Sequence, residues 1–142
     1  MKKVLFLLLI LGVIVGCSTT NNPAISGAET NGSKYEEEPV RIANDSLEYE
    51  IIITDIGFPR FLNTQPPESY YSLSFLERRN QFFVGEYNRR VQDIRYSRQL
   101  YPQRIEYDPI TNYGKEVNYL LFQYFRYFAR EYNQDFPGVR KN

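Results

Sequence analysis

The chain has 142 residues, with 17 basic and 17 acidic side chains, one cysteine, and neither histidine nor tryptophan. That length suits one domain plus a tether, and the balanced charge makes no case for nucleic acid as a partner. Without histidine there is no Ser-His-Asp hydrolase, no imidazole base and no imidazole metal ligand, and a lone cysteine excludes an internal disulfide and a thiolate cluster.

Lys2 and Lys3 precede the apolar run Val4–Gly16, which ends at Cys17 and polar Ser18-Thr19-Thr20. A spanning helix needs about 20 apolar residues, so the run has the layout of a cleaved signal peptide, residues 1–16. Ile14-Val15-Gly16-Cys17 resembles the lipobox of bacterial lipoproteins. The resemblance implies a diacylated Cys17 thiol, cleavage before it, and an acylated (palmitate-type) new amino terminus. At about 0.8 kcal/mol per buried methylene, two or more chains hold a protein firmly, so the first expected partner is a membrane. Ser18 is not the aspartate of inner-membrane retention, and no acidic cluster follows the cysteine directly. The resemblance therefore implies an outer-membrane anchor facing the periplasm.

Residues 17–46 are rich in Ser, Thr, Asn, Gly, Pro and Glu and read as a flexible tether, because they offer too little apolar surface to offset ordering entropy. A single domain is expected over 47–138. Tyr49 to Asp55 alternate and are β-branched, which predicts a strand ended by Gly57. Residues 58–62 suit a turn or short helix before Pro66-Pro67.

A long helix is predicted over 69–94, where Leu73, Leu76, Phe83, Val84, Tyr87, Val91 and Ile94 fall on one stripe. Asn80 lies within that stripe. A buried amide needs partners, so it is read as a structural anchor, with a group lining a ligand cleft as the alternative. Phe75 and Phe82 face elsewhere and are candidates for a binding patch. Arg79, Glu86, Arg90 and Asp93 suit pairing along one edge. Arg78 and Arg89, eleven apart, superpose down the axis and are candidates for gripping an anion, against the plainer reading of a solvated face.

Arg104 to Asp108 alternate and predict a second strand pairing with 49–55. Residues 108–112 supply turn and capping side chains for a last helix over 113–132, expected to be the most buried in the chain. The fold class is therefore α+β: two or more long packed amphipathic helices with a small two-stranded β element.

Of the 13 tyrosines and 10 phenylalanines, all but Tyr35 and Phe6 follow residue 46, which suits core and rim packing first and a binding surface second. Asp55, Glu106 and Asp108 are the candidate catalytic carboxylates, since paired strands would bring two of them to glycosidase-like separation. Asp108–Glu116 fails as a calcium loop because Ile110 stands where an oxygen ligand is required. No metal site, nucleotide loop or cofactor is expected.

The blocks Tyr49–Asp55, Gly57–Phe58, Tyr70–Ser72, Leu76–Asn80, Glu86–Arg90, Arg104–Asp108 and Tyr113–Tyr119 resemble an uncharacterised family of small Bacteroidota lipoproteins. Phe61 and Tyr87 stand where that pattern carries tryptophan. The resemblance implies one envelope domain and no reaction. The leading expectation is a non-catalytic module binding an envelope protein or glycan. A carboxylate hydrolase of envelope glycans is the enzymatic alternative, and a small-ligand binder around Asn80 with Arg79 or Arg90 is the third.

Overall fold

Two helices and a hairpin supply most of the packing in the computed structural model, which describes residues 34, 35 and 38–139. The expected signal peptide, Cys17 and most of the expected tether lie outside the described residues. In chain order the elements are β1 (Val40–Asn44), a 3₁₀ turn (Asp45–Leu47), β2 (Tyr49–Ile53), α1 (Gly57–Asn63), a second 3₁₀ turn (Glu68–Tyr70), α2 (Leu73–Gln92) and α3 (Lys115–Glu131). Three packed helices with a two-stranded antiparallel sheet make an α+β fold. None of these helices is long and apolar enough to cross a membrane.

The sheet differs from the expected one. β2 pairs with β1, Val40 opposite Ile53 and Asn44 opposite Tyr49, so the folded part starts earlier than residue 47. Val40 and Ile42 are buried; two apolar residues alternating in a polar context are too short a signal to stand out. Glu48 closes the hairpin in the left-handed region at φ 51°, its N–H donating to Asp45 O at 3.3 Å. Arg41 on the outer face bonds Glu50 and Asp45.

Residues 104–108 form no strand. Asn88 of α2 donates to the Ile105 carbonyl and accepts the Ile105 N–H, both at 2.8 Å, so a side-chain amide takes the two groups a ladder would have used.

Ser72 caps α2 by accepting the Phe75 N–H at 3.3 Å. Leu76, Asn80, Phe83, Val84, Tyr87 and Val91 are buried as the stripe predicts. Ile94 is 91% exposed, because the helix ends at Gln92 and the chain turns at Asp93. α3 is buried on nearly every side, Tyr119 and Phe122 included. Tyr71 and Phe75 cover that back face, and the Tyr119 hydroxyl donates to Pro66 O at 2.9 Å. Phe83, Phe125, Phe128 and Phe136 meet at the centre, each buried phenyl contributing about 2 kcal/mol.

Candidate functional site

β1 occupies one edge of β2. Among the described residues no other group hydrogen-bonds to the main chain of residues 49–54. In an antiparallel pair alternate residues turn their N–H and C=O away from the partner strand, so the outer edge of β2 is a row of unpaired donors and acceptors. That edge lines a cleft of about 920 Å³, which residues 99, 100 and 102–106 line as well. Tyr87, Tyr124, Phe128 and Tyr132 supply its aromatic surface. Tyr49 and Ile51 share a sheet face with the buried Val40 and Ile42 but stay half-buried, because the cleft is beside them.

The second wall is held by the Asn88 amide at Ile105, while the main chain at 103, 104 and 106 has no bond to other described residues. Near the start of β2 the Tyr113 ring packs against Tyr49, centroids 4.5 Å apart, and against Tyr107 at 5.0 Å. The Tyr49 hydroxyl is buried without a hydrogen-bond partner, and burial pushes its pKa well up.

Past the end of β2, Asp55 Oδ1 accepts the Tyr127 hydroxyl at 2.6 Å and the Gly57 N–H at 3.0 Å, and Oδ2 accepts the Tyr132 hydroxyl. Burial opposes the charged form, but the three donors outweigh it and hold the carboxyl below the usual aspartate range. Tyr132 is pushed up to about 12, first by its bond to Asp55 and then by burial. A Cβ on Gly57 would run into the Tyr127 hydroxyl, so this close approach requires glycine.

Glu106 is exposed and lines the same cleft as Asp55. Asp108 does not line it; its carboxylate accepts Ile110 N–H at 3.0 Å and Thr111 Oγ1 at 3.1 Å as a turn cap. Two of the three candidate carboxylates therefore line one cleft, Glu106 toward Tyr49 at the start of β2 and Asp55 past its end. One of those, Asp55, is already saturated with donors.

The helical candidates separate. Asn80 is fully buried and donates to Asn118 O at 2.8 Å and Asn118 Oδ1 at 3.0 Å, while Tyr107 donates to that same Oδ1 at 2.8 Å. Asn80 is an anchor between α2 and α3 and lines no cleft, which removes the basis for a ligand site around it. Arg90, also buried, bonds Glu86 at 2.7 Å, the Tyr101 hydroxyl at 2.9 Å and Asp135 O, with its guanidinium over Phe136. Arg79 leaves the expected seam to donate to Pro137 O at 3.2 Å and stack on Phe83. Arg89 pairs with Glu86 at 2.8 Å and with Asp93 at 3.6 Å, whereas Arg78 is exposed and makes no ion pair among the described residues. Phe75 packs on Tyr71 and Phe122, and Phe82 is left 66% exposed, so the two form no common patch.

The family model described as "Family of unknown function (DUF6146)" matches residues 5–141. The chain belongs to this family. No curated protein and no solved structure matches it. Among the described residues no group of three or more Asp, Glu, His or Cys side chains could hold a metal ion.

The β2 edge, Tyr124, Tyr132 and the 102–106 wall escape sequence reasoning as parts of one site. The clearest trace of it is the alternation at 104–108, which marks an extended segment without saying that a side chain, not a strand, occupies its bonds.

Proposed function

We propose that this chain is a non-catalytic, lipid-anchored module of the cell envelope, fixed to the outer membrane through acyl chains on Cys17 and facing the periplasm, which binds another envelope component through the cleft beside β2. The observation that carries the binding reading is the unpaired β2 edge in an aromatic-lined cleft, a concave surface of the size ligand sites have. The lipobox resemblance of Ile14 to Cys17 supports the anchor. Two measurements test the reading. Metabolic labelling with an alkynyl fatty acid should mark the wild-type chain and not Cys17→Ser; equal labelling defeats the anchor. Affinity isolation from intact envelopes should recover a component lost in Glu106→Lys; an unchanged set defeats the cleft.

One observation favours an enzymatic second reading: Asp55 and Glu106 line one cleft. Asp55, held ionised by three donors, could serve there as base or nucleophile and not as the acid. Release of reducing ends from envelope glycan by the wild type, abolished in Glu106→Gln, would establish this reading over the first.

A further inference from the structure

We propose that the cleft takes an extended peptide segment bearing lysine or arginine side chains, bound by strand addition to the free edge of β2. The inference rests on the binding-module reading and names the chemistry of its partner. Three observations converge on it. The main chain of 49–54 has its outward N–H and C=O groups unpaired along the cleft, and strand pairing is the interaction such a row is built for. Five strand residues span about 17 Å, enough to seat a comparable length of extended chain. The second wall is also extended main chain, with 103, 104 and 106 unbonded to other described residues while Asn88 holds Ile105 in place. An inserted chain thus finds main-chain partners on β2 and along 103–106.

Charge and side-chain character complete the description of the occupant. Glu48, Glu50, Asp55 and Glu106 line the cleft against a single basic residue, Arg104. Glu48 and Glu106 are exposed and have no ion-pair partner among the described residues, so they are available to meet cationic side chains. The partly exposed Tyr124 and the exposed Tyr132 provide an aromatic surface for the alternate side chains of an extended strand, whose successive residues point to opposite faces. A glycan would use the aromatic surface but would leave the β2 main chain without a repeating donor and acceptor partner.

The probe is a terminally blocked decapeptide of alternating lysine and valine, titrated into the full-length chain in detergent micelles. Its controls are the same peptide N-methylated at every lysine, the same N-methylated at every valine, the alternating glutamate and valine peptide, and an N-acetylglucosamine tetramer. Binding of the parent should slow amide exchange within residues 49–54 at least tenfold at saturation. At least one N-methylated analogue should bind at least tenfold more weakly, as should the glutamate peptide, and Glu106→Lys should weaken the parent at least threefold. Equal binding by both N-methylated peptides, by the glutamate peptide, or with no slowing at 49–54 would overturn strand addition. Slowing by the sugar tetramer and not by any peptide would assign the cleft to a glycan instead. Should no peptide bind while Glu106→Lys still loses an envelope component, strand addition fails and the module reading stands; should neither occur, both fail.

Discussion

The α2–α3 interface and the cleft beside β2 treat polar groups in opposite ways. Between the helices, Asn80 is answered by Asn118, and Asn118 by Tyr107 and by Gly114 O. Arg90 reaches Glu86, Tyr101 and Asp135 at once, and so ties the 96–101 loop and the C-terminal segment onto α2. Beside β2, a whole strand edge and the main chain of the facing residues 103, 104 and 106 have no partners among the described residues, Ile105 alone being held by Asn88. Buried polar groups that lack partners destabilise a fold, and between the helices the Asn80 amide N–H groups find Asn118 while the Asn80 Oδ1 alone of that pair is left without one. An edge open to solvent carries no such penalty and can be left for a second molecule. Charged and amide side chains on the helix stripe therefore serve construction here, while the unpaired backbone beside β2 serves no contact among the described residues.

The largest break in this contrast comes from the helical side. Arg90→Ala should cost about 3 kcal/mol, because it removes a buried cation that bonds the Tyr101 hydroxyl and the Asp135 carbonyl and leaves Glu86 with Arg89 alone; denaturant unfolding measures it. Asn80→Leu follows at about 2 kcal/mol, since the Asn118 main-chain and side-chain oxygens lose a buried donor. A loss of less than about 0.5 kcal/mol there would remove Asn80 from the anchoring role.

Asp55→Asn belongs to the boundary between the two regions and should cost about 1.5 kcal/mol at pH 7, the scale of hydrogen bonds to a charged group. Its folded pKa is depressed, so the contribution is present above the unfolded value near 3.9 and is lost as pH falls through the folded value. The gap between wild type and Asp55→Asn should accordingly shrink below about pH 4. Tyr132, the buried Tyr87 and the half-buried Tyr107 are each raised to about 12, so stability should also fall as pH climbs above about 10. Phenolate absorbance should then appear together with unfolding, and a tyrosine titration complete by pH 10.5 in the folded chain would contradict the burial of these rings.

The smallest effect is expected on the cleft side: Glu106→Lys should change stability by no more than about 0.5 kcal/mol. A larger loss would show that Glu106 contributes to the fold and is not held in reserve for a partner.

Both long helices are legible in the chain, because Leu76, Phe83, Val84, Tyr87 and Val91, and then nearly all of α3, repeat with helical spacing. The anchoring role of Asn80 is legible too, since an amide inside an apolar stripe must find a partner. β1 was hidden by its brevity and by the polar residues around it. The misread strand at 104–108 has a different cause. Its alternation is real, but Asn88, 17 residues before Ile105, takes the bonds of that residue, and no local pattern announces such an interception. Asp55 meets Tyr127 and Tyr132 only because α3 returns past the end of β2, a separation of 72 and 77 residues that spacing rules do not reach.

Proteins crowded on a surface risk fusing strand edge to strand edge, and a free edge of five residues carrying the exposed Ile52 is the sort of template that starts fibrils. By fixing residues 103–106 beside β2 with a side chain instead of a ladder, the fold keeps that edge at the side of a trough. With Gln103 to Glu106 lining the same cleft, the edge is not presented as a flat open face. Asn88→Ala would loosen the trough wall, and its first symptom would be turbidity on concentration, before any loss of helix.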